Sequence, residues 1–179
     1  MKNLSDTSEN INKLKKFFPM VDHSFVTTNP SVLKPSKKFT QNIHFFMTPV
    51  DKNIECFDVS QKKPIKDIFY AMSHGVNRAI LKKGKSDSRI HFLNNLVKKL
   101  DGIDYDFYGF QNKEPIWGND FYKALINSKM GLNLSRGLPT KYYSSNRIAS
   151  LMGNGLLTFV DKKTYLHHMF HKNEMIIYD

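Results

Sequence analysis

Two runs of this sequence concentrate groups that suit an anion. The first is Ser73-His74-Gly75-Val76-Asn77-Arg78, directly after an apolar run at residues 67–72. A glycine at a strand end lets a phosphate approach the backbone. The N–H groups after it can face the charge, and Arg78 adds a charge-assisted contact. A lone glycine serves a simple tight turn equally well, so spacing leaves both roles open. The second run covers residues 133–161. It holds Ser135 and Arg136, then Lys141, Ser144, Ser145, Asn146 and Arg147, then Gly153-Asn154-Gly155. A helix starting near residue 145 would present the partial positive charge of its N-terminus, beside these cations, to a diphosphate. The alternative is that Ser144 or Ser145 only caps the helix and Arg147 pairs with a carboxylate.

The remaining candidates carry less. His167 and His171 are four apart and would share a helix face, with His168 beside them, but no third ligand is placed to complete a metal site. Trp117 could stack on a base or a sugar, although burial is the commoner fate of such a ring. Cys56 stands alone, which excludes an intrachain disulfide and a thiolate metal cluster; it reads as a small packing residue. Absent motifs narrow the field. There is no G-x-x-x-x-G-K-[ST], no G-x-G-x-x-G after the first strand of the 67–179 region, and no G-x-S-x-G. An NTPase-type phosphate loop, a standard dinucleotide site and an α/β-hydrolase are thereby disfavoured.

The elements that must position these groups alternate. Short apolar runs at 67–72, 105–108, 130–135, 156–160 and 175–178 read as buried strands. Helical spacing appears at 90–100, where Ile90, Leu93, Leu96, Val97 and Leu100 share a face. Shorter helices are expected at 121–127, 145–152 and 164–170. Strand–helix alternation of this kind predicts an α/β fold, a Rossmann-like doubly wound parallel sheet covered on both faces. Ligands of such sheets sit beyond the carboxyl ends of the strands, which points to residues 73–77, 109–111, 135–138 and Asp161. Before this region, residues 24–28 and 43–47 read as two short strands, each stopped at an X-Pro turn. Residues 51–63 are polar and aperiodic and read as an inter-domain connection. The expected division is therefore 1–60, the tail of an N-terminal domain with its linker, and 61–179, a Rossmann-like domain incomplete at its C-terminus. The chain is expected to be a fragment of a longer protein or to need a partner.

Bulk properties agree with a soluble globular chain. Its 179 residues are 40% hydrophobic and 24% charged. The formal net charge of +11 attracts anions of any kind: nucleic acid, anionic lipid or a phosphate-bearing small molecule. The N-terminus has no apolar signal-peptide core, and no window of about 20 apolar residues could span a membrane.

The order of motifs in the second run resembles the C-terminal domain of group 1 glycosyltransferases, especially the spore-maturation-protein-like branch. The matching positions are residues 130–135, Asn146-Arg147-Ile148, Asn154-Gly155 and residues 156–161; Val26-Thr27-Thr28-Asn29-Pro30 and Thr48-Pro49-Val50-Asp51 are similar to the end of that family's N-terminal domain and its linker. The resemblance implies a GT-B fold, of which this chain is the C-terminal, nucleotide-sugar-binding half. It implies donor-diphosphate contacts from Ser73, His74, Gly75, Arg78, Ser135, Arg136, Lys141, Ser144, Ser145, Asn146 and Arg147, with Asn154 and Gly155 packed close to the donor. No cofactor or metal is expected beyond the nucleotide sugar itself. The expected partners are that donor, a glycan, lipid or protein acceptor, and the missing N-terminal GT-B domain. The expected location is cytoplasmic, with a peripheral contact on the inner face of a membrane. One departure matters: retaining members of the wider group carry two glutamates eight positions apart, and the corresponding positions here are Tyr142 and Ser150. The catalytic residues stay unassigned, and this chain alone is expected to be inactive. Two other readings remain beside glycosyl transfer. One is a basic nucleic-acid-binding module, disfavoured because no RRM-type basic-aromatic strand motif occurs; the other is a catalytically inactive glycosyltransferase-like domain.

Overall fold

The computed structural model describes residues 16–33, 42–73, 88–135 and 139–179. In chain order these contain β1 (His23–Val26), β2 (Asn42–Phe45), β3 (Lys66–Ala71), α1 (Ser88–Val97), β4 (Tyr105–Tyr108), α2 (Gly118–Ile126), β5 (Ser128–Asn133), α3 (Asn146–Gly153), β6 (Leu157–Asp161) and β7 (Ile176–Tyr178). Strands β3 to β7 form one parallel sheet in the order β4-β3-β5-β6-β7. Alternate residues of β3 feed opposite faces, as the period of a strand requires. Ile68 and Tyr70 join Leu93 of α1 and Leu132 in one core cluster. Phe69 and Ala71 join Ala124 and Leu125 of α2 and Leu151 of α3 in another. Helices therefore cover both faces, and the doubly wound α/β architecture expected from the sequence is the one observed.

Close packing of α3 on the sheet depends on Gly131 of β5. A Cβ built there would overlap the Leu151 side chain, so the helix reaches this strand only because the side chain is missing. At the amino ends of the strands, Asp67 accepts from Lys129 at 2.7 Å and from the backbone N–H of Asp104 at 3.0 Å, which ties β3 to β5 and to the approach of β4. The Lys129 contact, followed by that N–H, holds the Asp67 carboxyl below its ordinary range. A depressed folded-state pKa adds stability above the unfolded-state value and loses it as pH falls through the folded one. Asp67→Asn should therefore be less stable than the parent near neutral pH. The difference should shrink as pH falls below the ordinary carboxylate range and through the depressed folded-state pKa, in urea melts run as a pH series. A gap that stays constant with pH would contradict the assignment.

Strands β1 and β2 pair in parallel as a separate two-stranded sheet. Its inward face packs Phe45 on Tyr142, ring centroids 5.5 Å apart, and buries Val26. The 51–63 connection is also held against the Rossmann-like sheet: Val59 is 4% exposed and sits in the cluster around Phe69 and Leu151. A boundary drawn after residue 60 thus cuts just beyond a residue that belongs to this core.

Three local expectations are corrected. The helix expected at 164–170 is two 3-10 turns, Lys162–Thr164 and Leu166–Met169. Tyr165 between them is left-handed (φ 55°), which no continuous right-handed helix allows. His167 and His171 therefore do not share a helix face. Cys56 is exposed rather than packed, and Trp117 is 64% exposed just before α2. Among the described residues, no helix is long and apolar enough to cross a membrane.

Candidate functional site

The strand order reverses around β3. The chain leaves β3 for β4 on one side and returns to β5 on the other, so β3 and β5 are neighbours whose onward connections diverge. A crevice opens beyond the carboxyl ends of two such strands. Their register pairs Phe69 with Gly131, and Ser73 and Ser135 each lie four residues further on. Both serines are half-buried. His74, Gly75, Arg78 and Arg136 lie outside the described residues.

Helix α3 starts at this end of the sheet, its Ser145 and Arg147 side chains reaching Asn133 and Leu134. Ser145 holds the N-cap position with extended backbone, but its side chain makes no capping bond. Its hydroxyl instead donates to Asn133 Oδ1 at 3.3 Å, at the end of β5. The first-turn N–H groups of α3 thus have no side-chain cap, the condition under which a helix start offers them to an anion. Asn146 is exposed at this end. The Arg147 guanidinium donates to the Leu134 carbonyl at 2.9 Å and lies 5.0 Å from the Tyr70 ring centroid. Among the described residues no carboxylate pairs with it. Its charge is positioned by a carbonyl and a π face, and the alternative in which Arg147 pairs with a carboxylate is not met among the described residues.

The other expected contacts divide. Lys141 is exposed, its Nζ 5.1 and 5.3 Å from the Tyr142 and Tyr165 ring centroids. Both tyrosines have left-handed backbones, φ 58° and 55°, and Tyr142 is pinned by an N–H bond to the Thr164 carbonyl at 2.7 Å. Ser144 is 1% exposed, and its groups are committed to residues just beyond β1 and β2. Its N–H donates to Thr27 O at 2.8 Å, its Oγ accepts from the Thr48 N–H at 3.1 Å, and its carbonyl accepts from Thr48 Oγ1 at 3.1 Å. Asn154 and Gly155 lie at the opposite end of α3. Asn154 is fully buried; its Nδ2 donates to Ser150 O at 2.8 Å and its Oδ1 accepts from the Phe57 N–H at 3.0 Å. The Gly155 Cα faces Asp58 and Val59 of the connection. The structure therefore brings Ser135, Ser145, Asn146 and Arg147 to the carboxyl end of β5, with Ser73 at the neighbouring end of β3, and sets Lys141 over Tyr142 and Tyr165 instead. It leaves Ser144, Asn154 and Gly155 as the joints that fasten the N-terminal segment.

Three residues at this edge escaped sequence reasoning. Tyr70 is fully buried under Arg147 and bonds Arg89 from α1 at 3.5 Å. Tyr178, closing β7, is half-buried near Asp161, Tyr70 and Arg147; partial loss of solvent first, and Asp161 second, push its phenol far above the usual range. In the sequence all three look like strand or helix filling, and no spacing signal separates them from core residues. At Ser150, where the glutamate is missing, the hydroxyl donates to Glu55 Oε1 at 3.4 Å, so a carboxylate arrives there from the connection instead.

A family model described as glycosyl transferase-like matches residues 87–179. The chain belongs to that family. This is the coarse level of the resemblance read from the motifs, and the Rossmann-like sheet is the fold that resemblance implied. The match runs from the start of α1 to the end of β7, so the glycosyl transferase-like part contains Ser135, Lys141, Ser145, Asn146 and Arg147, whereas β1, β2, the connection and Ser73 precede it. No curated protein and no solved structure matches the chain.

Proposed function

We propose that this chain is the donor-binding part of a glycosyltransferase of the GT-B type, in the spore-maturation-protein-like branch of group 1. It would hold a nucleotide sugar by its diphosphate between the loop after β3 and the first turn of α3. The observation that carries this reading is the adjacency of β3 and β5 at the reversal point, with the Arg147 guanidinium fixed across the edge by Leu134 O and the Tyr70 ring. In glycosyl transfer the bond from the anomeric carbon to the diphosphate breaks, and charge builds on the leaving diphosphate. Arg147, Lys141 and the uncapped N–H groups of α3 would stabilise that charge, with Arg78, later in the sequence than β3, adding to it. The acceptor, whether glycan, lipid or protein, and the catalytic base would come from an N-terminal GT-B half. A cytoplasmic site at the inner face of a membrane suits such an enzyme.

Titration calorimetry of the chain with uridine, guanosine, adenosine and thymidine diphosphates tests this reading. One of them should bind at millimolar or tighter affinity. Arg147→Ala should weaken that binding about ten- to a hundredfold, the range of a lost charge-assisted contact, while Arg147→Lys loses less. Absence of binding by the parent chain rejects the donor site. A second reading, an inactive relative, is favoured by the lack of an acidic residue at Tyr142 and Ser150. Diphosphate binding without any sugar transfer by the complete protein would select it.

A further inference from the structure

The outward face of the small N-terminal sheet carries two histidines on different strands. The register pairs His23 with Asn42 and Phe25 with His44, and residues paired across parallel strands, like residues two apart on one strand, point to the same face. His23, Phe25 and His44 therefore stand together, away from the face that packs on Tyr142. Both imidazoles are exposed, with His23 Nδ1 3.0 Å from His44 Nε2. The two imidazole centroids are 5.2 Å apart, and the Phe25 ring centroid lies 5.3 Å from that of His44.

We propose that His23 and His44 form a cross-strand clip for a divalent transition cation of the zinc class, with water completing its coordination. Imidazole nitrogen binds zinc at about 2.0–2.1 Å, and two such bonds opened by roughly 90–110° place the nitrogens about 2.9–3.4 Å apart. The observed separation falls inside that window. Without the cation, one ring N–H must sit between the two nitrogens as a hydrogen bond. With it, both facing nitrogens are lone-pair donors, and the protons reside on His23 Nε2 and His44 Nδ1, each of which faces away from the metal. The sheet gives the clip a physical effect. A two-stranded sheet is marginal by itself, and parallel sheets ordinarily have both faces covered, whereas here Phe25 is 66% and Phe46 48% exposed. A cation bound to the folded pairing and not to the separated strands stabilises that pairing by mass action.

Zinc chloride titrated into the full chain, in a non-chelating and phosphate-free buffer, tests the site by calorimetry and by thermal melting. One zinc should bind with a dissociation constant on the order of 10 μM, and 1 mM zinc should raise the melting temperature by about 5–10 degrees. His23→Ala and His44→Ala should each weaken binding at least tenfold and abolish the rise. His23→Gln, which keeps a hydrogen bond across the strands, should also lose the zinc effect while melting like the parent without metal. The triple substitution His167→Ala, His168→Ala, His171→Ala should leave the titration unchanged. Zinc binding that survives both single alanine variants, or that vanishes in the triple variant, would overturn the proposal, as would a parent chain that takes up no zinc below 1 mM.

Discussion

Gly109→Ala is expected to destabilise the protein by at least about 3 kcal/mol, the sum of a left-handed backbone strain and an unrelieved clash. Gly109 closes β4 with φ 76°, and its N–H donates to Lys113 O at 2.9 Å. A Cβ at this position would overlap the carbonyl oxygen of Met72, a backbone atom on the adjacent strand that cannot rotate away. Met72 N–H is itself bonded to Tyr108 O at 3.0 Å, so retreat of that carbonyl would tear the end of the β3–β4 ladder. Gly102 supplies the control. It is also left-handed, φ 69°, but a Cβ there meets no atom within 4 Å, so Gly102→Ala should cost only the strain, about 1–2 kcal/mol. Urea melts of the two variants separate the contributions; equal losses would show that contact with Met72 matters little. Because Met72 leads directly into Ser73, the first substitution should also impair diphosphate binding in whatever protein remains folded.

Asn154→Ala is the second large effect, about 2–4 kcal/mol, because it strands two partners at once. Its amide joins the Ser150 carbonyl inside α3 to the Phe57 N–H of the connection, and the side chain is fully buried. The Val59 N–H also lands on the Asn154 carbonyl at 2.7 Å, a bond the substitution spares. Diphosphate affinity, measured at a temperature where the variant is folded, should stay within about twofold of the parent, since the residue sits at the far end of α3. A loss of affinity comparable to that of Arg147→Ala would restore Asn154 to the donor site. Asn154→Asp should be as destabilising as alanine, because a carboxylate cannot donate to Ser150 O.

The architecture was legible because its signal is local and repeated. Each buried strand is a short apolar run, each helix has one apolar face, and their alternation dictates a covered parallel sheet with a crevice at the strand ends. Arg147 could be named for the same reason, since a basic residue one step into a helix after a loop of hydroxyls is visible in the sequence. What could not be read depends on partners remote in sequence. Ser144 and Ser145 look alike on paper, yet Thr27 and Thr48 claim the first, 117 and 96 positions away, while the second faces the end of β5. Asn154 resembles a ligand-site residue until its amide is found between Ser150 and Phe57. Tyr165 breaks the expected helix because Lys162 O captures its N–H in a left-handed turn, against the local propensity. Trp117 and Cys56 depart from the burial habits of their residue types, and the sequence gives no reason for either.

The bonding of Ser144 makes the small sheet and the start of α3 mechanically one piece. Thr27 and Thr48 grip a residue that is covalently two peptide bonds from Asn146, so a rigid-body swing of β1 and β2 has no slack to absorb it before it turns the first N–H groups of the helix. Thermodynamic reciprocity then applies: an anion that prefers one orientation of those N–H groups also biases the sheet, and a body docked on the sheet biases the anion by the same free energy. Thr48→Val deletes one of the three hydrogen bonds of this tether, that from Thr48 Oγ1 to the Ser144 carbonyl, and should weaken the coupling without abolishing it.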